Sequence, residues 1–134
     1  METQVTFFLI DDDEDDRELF EVALEKIHIP IKFKSAANGI EALQSLQVDV
    51  ALPDYIFLDL NMPQMDGREC LIALKNDTRL AQIPVIIFST SNDPRDKEDT
   101  QKLGAIDFIT KPFKTSELTK VLSEFITKNY LTLK

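Results

Sequence analysis

The stretch Phe7–Phe20, FFLIDDDEDDRELF, places four apolar residues directly before six consecutive carboxylates. A continuously apolar run of this length is typical of a strand that is covered on both faces of a parallel sheet. A solvated turn needs only a few polar residues, so six acids exceed what the turn requires. We therefore expect two roles within the run. The first acids end the strand, and the later ones open a helix, where negative charge complements the helix dipole.

Five short runs have the composition of β-strands, and three of them, FFLI, YIFL and VIIF, are apolar without alternation. The predicted strands are Val5–Ile10, Ile31–Ser35, Tyr55–Leu58, Val85–Phe88 and Ile106–Ile109. A helical pattern follows each strand, so strand and helix alternate five times. This alternation predicts a doubly wound α/β fold built on a five-stranded parallel sheet.

Four of the five predicted helices carry a regular apolar stripe. The stripe residues are Leu19, Phe20, Ala23, Leu24 and Ile27; Ile40, Leu43 and Leu46; Cys70, Leu71 and Leu74; and Leu118, Val121, Leu122, Phe125 and Ile126. The fourth helix begins with the capping signal Asp93–Pro94, but RDKEDTQK offers almost nothing to bury, so we expect it to be the most loosely held. The fifth helix is predicted to use Thr115 or Ser116 as N-cap and to end near Asn129.

The composition of the 134-residue chain indicates one domain with a core of ordinary size. A net charge of −9 argues against nucleic acid and against an anionic membrane surface as partners. The N-terminus has neither the basic region nor the apolar length of a signal peptide, and no run is long enough to span a membrane. A single cysteine, Cys70, fits a reducing compartment. We therefore expect a cytoplasmic protein.

Chemically active side chains follow four of the predicted strands. Asp11 and Asp12 follow the first strand, Asp59 the third, Ser89 the fourth and Lys111 the fifth. Ligands of open α/β sheets bind beyond the carboxyl ends of the strands, so these side chains are expected to meet. Three carboxylates in one crevice call for a cation, and a few oxygen ligands with room for water suit Mg²⁺. Carboxylate, Mg²⁺, lysine and hydroxyl together can form and hold an acyl phosphate on aspartate.

Other polar residues favour structural roles. The acids at positions 13–16 are expected mainly to start the first helix, with one of them as its N-cap. His28 precedes Pro30 at the end of that helix and favours a structural or solvated role. Cys70 lies on an apolar stripe and favours a small core residue.

Taken together, these motifs resemble the receiver domain of two-component response regulators, in the stand-alone form of the chemotaxis regulator. The resemblance covers nearly the whole chain through FFLIDDDEDD, NGIEAL, PDYIFLDLNMPQMDG, IPVIIFSTS and GAIDFITKPF. It implies a flavodoxin-like fold with strand order 2-1-3-4-5. It also implies one receiver domain over residues 1–134, with no effector domain.

The resemblance further implies roles for individual residues around an acyl phosphate. Asp59 would be the phosphoacceptor, and Lys111 would pair with the phosphoryl group. Asp12 would bind Mg²⁺ directly, and Asp11 would act mainly through water. The backbone carbonyl of Asn61 would be a further ligand of the ion.

Two positions resemble the family's conformational switch. Ser89 matches the switch hydroxyl because it stands five residues after Pro84, which sets aside its neighbour Thr90. Phe108 occupies the aromatic switch position, where tyrosine is common, so its switching must act by packing. The Lys111–Pro112 peptide bond is expected to be cis, as in the family.

By this resemblance the chain would be a signalling protein and not an enzyme. A sensor histidine kinase or a histidine phosphotransfer protein would donate the phosphoryl group, and output would be phosphorylation-dependent protein contact. Homodimerisation through the fourth helix, fifth strand and fifth helix is one expected form of output. A relay role in a phosphotransfer chain is equally open. The stretch ALKNDTRLAQIPVIIFSTS also resembles, more weakly, small regulators that are paired with bacterial phytochrome-type kinases.

Three alternatives compete with this interpretation. A Mg²⁺-dependent aspartate-nucleophile phosphatase would want an acid/base aspartate two residues after Asp59, where this chain has Asn61. A calcium-binding EF-hand loop starting at Asp11 fails at its glycine position, Asp16, and at its final glutamate position, Val22. A structural or dimerisation module would show no Mg²⁺-dependent response to a beryllofluoride mimic of the phosphoryl group.

Overall fold

Strands and helices alternate regularly in the computed structural model of the chain, which describes residues 5–133 and their side chains through residue 129. In chain order the elements are β1 Val5–Ile10, α1 Glu14–Glu25, β2 Ile31–Ala36, α2 Gly39–Val48, β3 Tyr55–Leu58, α3 Gly67–Asn76, β4 Val85–Ser89, α4 Pro94–Lys102, β5 Asp107–Thr110 and α5 Thr115–Leu133. The strands form one sheet in the order β2-β1-β3-β4-β5, and all neighbours are parallel. The predicted fold class and strand order are confirmed.

The boundaries of α5 differ from the prediction at both ends. The helix continues to Leu133 instead of ending near Asn129, because no glycine or proline interrupts it there. It starts at Thr115, so neither Thr115 nor Ser116 is its N-cap. The residue before it is Lys114, whose backbone carbonyl accepts the N–H groups of Glu117 and Leu118. The side chains after residue 129 lie outside the described part of the chain. So do residues 1–4, which belong to the N-terminal stretch that was considered as a signal peptide.

The sheet buries apolar residues on both faces, as the unbroken apolar strands predict. Alternate residues of β1 and β3 enter two separate clusters, one under α1 and α5 and the other under α2 and α3. The cluster under α1 and α5 is rich in phenylalanine. Phe20 of α1 packs against Phe57 and Phe88 of the sheet at centroid distances of 5.1 and 5.4 Å. This aromatic packing fixes α1 against the sheet.

Helix α4 is the most lightly buried helix, as its sequence predicts. Among its residues only Thr100 is buried. Asp93 caps its first turn by accepting the N–H of Arg95 at 2.9 Å, and Pro94 is the first helical residue. With so little apolar area to bury, α4 depends on polar contacts for its position.

The Lys111–Pro112 peptide bond and the apolar length of the helices were both predicted from the sequence. The Lys111–Pro112 bond is trans, since residues 5–133 contain no cis peptide bond, so the cis prediction is wrong. The trans form is also the intrinsically favoured isomer of a bond before proline. Within the same range, no helix combines the length and apolar character needed to cross a membrane.

The sheet ladder continues past the strand ends and sets the polar edge residues side by side. The N–H of Asp59 donates to the carbonyl of Ile10 at 3.0 Å, and the N–H of Lys111 donates to the carbonyl of Ser89 at 2.7 Å. The N–H of Asp11 likewise donates to Ala36 of β2 at 3.1 Å. Backbone pairing therefore determines where the side chains of 11, 59 and 111 emerge.

Helix α3 approaches this edge closely enough to require glycine. A Cβ atom at Gly67 would lie 2.3 Å from the carbonyl oxygen of Asp59 and 2.6 Å from Cα of Leu60. The N–H of Gly67 donates to the carbonyl of Leu60 at 2.8 Å. Gly67 thus allows the first turn of α3 to hold the backbone that carries Asp59.

We predict that Gly67→Ala lowers the free energy of unfolding by about 2–3 kcal/mol, because the added methyl group overlaps backbone atoms that cannot move aside. Gly39→Ala is the matched control. A Cβ there would meet Sδ of Met65 at 2.8 Å, the flexible end of a side chain, and should cost about 1 kcal/mol or less. Urea unfolding measures both values, and equal losses would contradict the steric argument.

Candidate functional site

Three carboxylates converge at the carboxyl edge of the sheet. Asp11, Asp12 and Asp59 each offer one oxygen, and these oxygens lie within 4.8 Å of one another. Asp11 is 0% exposed and Asp59 is 5% exposed, whereas Asp12 faces solvent. In this cluster, the carboxylate pocket, two carboxylates are therefore buried and the third faces solvent.

Lys111 supplies positive charge to this pocket from the end of β5. Its Nζ lies 2.8 Å from Oδ2 of Asp11 and 3.6 Å from Oδ2 of Asp59, and its side chain is only 9% exposed. The ammonium also lies 5.5 Å from the ring centroid of Phe88, a favourable cation–π distance. The structure thus brings four of the predicted residues, Asp11, Asp12, Asp59 and Lys111, into one cluster.

Asp16 also contacts Lys111, although the sequence pattern assigned it only to the start of α1. Its Oδ2 accepts a hydrogen bond from Nζ of Lys111 at 2.8 Å. One signal could have found this contact. With Asp13 as the N-cap, Asp16 is the third residue of the helix, and helical side chains lean toward the N-terminus, which here faces the pocket.

The remaining acids of the run build the turn between β1 and α1. Asp13 is the N-cap, and its Oδ1 accepts the N–H groups of Asp15 at 2.9 Å and of Asp16 at 3.4 Å. The N–H of Asp13 donates to Oδ1 of Asp11 at 3.0 Å. Arg17 donates from Nη1 to the backbone carbonyl of Asp11 at 2.7 Å. The turn therefore fixes the orientation of the Asp11 carboxylate.

Burial and like charge perturb the ionisation of the pocket. Burial raises the pKa of Asp59 to about 6, with Lys111 opposing the shift and Asp11 adding to it. Burial also raises the pKa of Asp11, again against the influence of Lys111. Burial by itself would lower the pKa of Lys111, but hydrogen bonds to Asp11 and Asp16 raise it above its ordinary value. The lysine is therefore a permanent cation among carboxylates that are costly to ionise.

The pocket has the donor set of a divalent cation site. Oδ2 of Asp11 is buried, and its charged partner among the described residues is the Lys111 ammonium at 2.8 Å. One ammonium offsets only part of the charge of three clustered carboxylates, so the cluster favours a further cation. Carboxylate oxygens with an open side for water are the ligands of Mg²⁺ and Mn²⁺. The residues present therefore fit such an ion.

Ser89 lies at the same edge but makes a different contact. It is fully buried, and its Oγ accepts the N–H of Ser91 at 3.2 Å. Oγ of Ser91 donates to Oδ2 of Asp96 in α4 at 2.5 Å, and Arg68 of α3 donates to the other oxygen of Asp96 at 2.5 Å. Oγ1 of Thr110 donates to the carbonyl of Ser91 at 3.2 Å. Ser91, Asp96 and Arg68 form a polar chain, the Ser91 chain, that joins Ser89 to α4 and α3.

Phe108 and Asn61 lie near the residues that the sequence assigned to switching and to the metal. Phe108 is half-buried against the core cluster under α2 and α3, and it lines a cavity of about 70 Å³ between α4 and β5. Asn61 is exposed, and its backbone N–H opposes the rise in the pKa of Asp59. The roles of Phe108 as a switch and of the Asn61 carbonyl as a ligand stay predictions.

Two further residues with reactive groups lie away from the pocket. Cys70 of α3 is buried in the hydrophobic core, and burial raises the pKa of its thiol to about 12. Such a thiol is inert at neutral pH, in line with its predicted core role. His28 is exposed beyond the end of α1.

The chain combines a flavodoxin-like sheet with an acidic pocket that contains a lysine at the carboxyl edge. These features place it among the α/β proteins whose carboxylates suit a cation at that edge. The model of the response regulator receiver domain matches residues 7–123, so the chain belongs to the response regulator receiver family of two-component systems. Two solved structures are similar over nearly their whole length. The phosphorylated cyanobacterial phytochrome response regulator RcpA is 31% identical, with a TM-score of 0.87 and coverage of 98% of this chain and 97% of that one. The Mn²⁺-bound response regulator Rcp1 is 27% identical, with a TM-score of 0.81 and coverage of 92% of each chain.

A curated relative is much longer than this chain. The protein-glutamate methylesterase/protein-glutamine glutaminase of Methanococcoides burtonii is 40% identical over 96 residues, which make up 70% of this chain and 26% of that protein. The chain therefore spans about a quarter of the length of this relative. The receiver family to which this chain belongs in general signals and does not catalyse.

We predict that, in EDTA, Asp59→Asn raises the free energy of unfolding near pH 7.5 by roughly 1–3 kcal/mol. The folded protein binds the Asp59 proton more tightly than the unfolded chain does, since the pKa rises from 3.8 to about 6 on folding. Wild-type stability therefore falls as pH rises from about 4 to above 6, and the advantage of asparagine disappears toward pH 4.

Urea unfolding at several pH values measures this difference. Asp12→Asn, at the exposed carboxylate of the same cluster, is the control and should change stability less. An Asp59→Asn variant that is no more stable than wild type near pH 7.5 would contradict the argument from burial.

Proposed function

We propose that the chain accepts a phosphoryl group on Asp59 from the phosphohistidine of a sensor histidine kinase or a histidine phosphotransfer protein, with Mg²⁺ as the ion of the carboxylate pocket. The single observation that carries the proposal is the buried Asp59 carboxylate beside Asp11, Asp12 and the Lys111 ammonium. The match to the receiver family and the likeness to phosphorylated RcpA and Mn²⁺-bound Rcp1 support it.

The carboxylates of Asp11, Asp12 and Asp59 would hold the ion, together with the backbone carbonyl of Asn61 and water. When bound, Mg²⁺ supplies positive charge that offsets the negative charge of the phosphoryl oxygens. The open side of the pocket at Asp12 leaves room for the water ligands that Mg²⁺ retains.

The transfer itself needs little beyond positioning. A carboxylate oxygen of Asp59 attacks the phosphorus atom, the new P–O bond forms as the P–N bond breaks, and the electron pair returns to the histidine ring nitrogen. Lys111 then pairs with a phosphoryl oxygen, and the buried Ser89 hydroxyl is a hydrogen-bond donor for another. The chain's contribution is a fixed carboxylate, a permanent cation and a hydroxyl at one edge.

The surface around the pocket suits a protein donor. Phe113, two residues after Lys111, is fully exposed, and Leu19 and Val22 expose about two fifths of their surface on α1. Leu19 lies one helical turn beyond Asp16, so the apolar residues border the acidic pocket. A rim of this kind favours contact with an apolar helical surface that presents a phosphohistidine.

We predict that the wild-type protein takes up acid-labile phosphate from acetyl phosphate and Mg²⁺, and that Asp59→Asn takes up none above background, because the acceptor oxygen is gone. Phosphate-affinity electrophoresis measures the uptake. Asp15→Asn, an equal loss of charge on the exposed side of the same acidic run, is the control and should behave like wild type. Acid-labile phosphate on the Asp59→Asn protein would exclude Asp59 as the acceptor.

The conformational effect of phosphorylation would pass from Ser89 to α4 through the Ser91 chain. Ser89 Oγ accepts the N–H of Ser91, so a Ser89 side chain that moved to donate to a phosphoryl oxygen would alter this contact. Because α4 buries only Thr100, the hydrogen bonds of Asp96 to Ser91 and Arg68 are a large part of what positions it. Phosphorylation would shift the population between two positions of α4, with Phe108 repacking into the adjacent cavity.

This output surface comprises α4, β5 and α5, and we propose that a partner protein or a second copy of the chain binds there. Ile106 exposes more than half of its surface beside the cavity that Phe108 lines. An exposed apolar residue next to an adjustable helix is a suitable contact for a partner that recognises one position of α4. The net charge of −9 keeps nucleic acid an unfavourable partner.

We predict that Asp96→Asn speeds amide hydrogen exchange in residues 94–102 of the unphosphorylated protein about three- to tenfold, because the loss of charge weakens the bonds to Arg68 and Ser91. Asp99→Asn is the matched control on the same helix, since Asp99 lies 3.7 Å from Arg68 in a more exposed pair. It should change exchange less than twofold. Unchanged exchange in Asp96→Asn would show that the Ser91 chain does not hold α4.

A further inference from the structure

Lys111 has carboxylate neighbours of two kinds. Asp11 and Asp59 come from strand ends and belong to the cation cluster, whereas Asp16 comes from the first turn of α1 and lies outside that cluster. The Lys111 Nζ distances are 2.8 Å to Asp11, 2.8 Å to Asp16 and 3.6 Å to Asp59. The acceptor carboxylate is thus the most distant of the three partners.

We infer that Asp16 is a positioning residue that holds the Lys111 ammonium on the α1 side of the pocket before phosphorylation, so that the cation-binding oxygens stay available. The inference rests on the function proposed above for this pocket. It assigns to one acid of the DDDEDD run a task separate from capping the helix and from binding the ion.

The physical reason is competition for a single mobile cation. A lysine ammonium on a flexible chain moves toward the strongest nearby negative charge. Without Asp16, its only carboxylate partners among the described residues are Asp11 and Asp59, and a closer pair with Asp59 would mask the acceptor oxygen. The same move would place a positive charge against the oxygens that a divalent ion needs, which weakens binding of that ion.

The geometry of Asp16 suits this task. Its side chain is 31% exposed, whereas the side chains of Asp11 and Asp59 are 0% and 7% exposed. Its backbone N–H is held by the N-cap Asp13, which fixes the start of its side chain. When a phosphoryl group forms on Asp59, its oxygens offer Lys111 a stronger partner, and the ammonium exchanges Asp16 for the phosphoryl oxygen.

The test is a measurement of Mg²⁺ affinity in the absence of any phosphodonor. Calorimetry and the backbone amide NMR signals of Asp59 and Lys111 both report the binding. We expect Asp16→Asn to weaken Mg²⁺ binding about fivefold or more. Asp15→Asn is the matched control, because it removes the same charge from the same helical turn at an exposed side chain, and it should stay within twofold of wild type. Asp16→Glu, which restores the carboxylate, should recover at least half of the loss on a logarithmic scale.

A double-mutant cycle separates positioning from simple loss of charge. In a Lys111→Met background there is no ammonium to hold, so Asp16→Asn should then change Mg²⁺ affinity by no more than twofold. The inference is overturned if Asp16→Asn changes Mg²⁺ affinity equally with and without Lys111. It is also overturned if the substitution changes the affinity in neither background. Amide spectra outside the pocket verify folding, and Asp16→Ser provides a second polar replacement if the asparagine variant folds poorly.

The outcomes for this inference and for the proposed function differ. Wild-type protein that binds Mg²⁺ and accepts phosphate, with an Asp16→Asn variant of unchanged affinity, would remove only the role of Asp16. Wild-type protein that binds no Mg²⁺ would remove the proposed metal site and this inference together.

Discussion

The constraint on which the structure depends is the burial of two neighbouring carboxylates, Asp11 and Asp59, with one lysine as their counter-charge. Backbone pairing of β1 with β3 makes them neighbours, since the N–H of Asp59 bonds to the carbonyl of Ile10. Burial opposes the charge of both, and the ammonium of Lys111 offsets only part of that cost. A folded chain that accepts this cost has a site that favours a further cation. The apolar strands and the close approach of Gly67 supply the rigidity that holds it.

The acidic run after β1 serves fold and site at once. Asp13 caps α1, Asp11 braces the turn through its own carboxylate, and Asp16 reaches back to Lys111. The N-terminus of α1 adds its partial positive charge on the side where negative charge accumulates. One short segment therefore starts a helix, completes a cation pocket and supplies a partner for the lysine.

Stability is distributed unevenly across the sheet. On one face, α1 and α5 pack through phenylalanine rings around Phe20 and Phe57, and on the other α4 is held mainly by the polar Ser91 chain. A core of aromatic contacts resists change, whereas a helix held by a few hydrogen bonds has alternative positions within reach. The carboxyl edge of the sheet is thus anchored by the aromatic packing under α1 and α5. The Ser91 chain connects the same edge to the more weakly held α4.

The sequence by itself determined the strands, their parallel arrangement and the residues at the strand ends, because unbroken apolar runs and the residue after each run are local features. It also showed that α4 buries little. Tertiary structure decided the contact of Asp16 with Lys111 and the bond from Arg68 to Asp96. Both contacts depend on how side chains from distant elements meet. Sequence periodicity records which face a residue occupies, but not which charged partner lies opposite it.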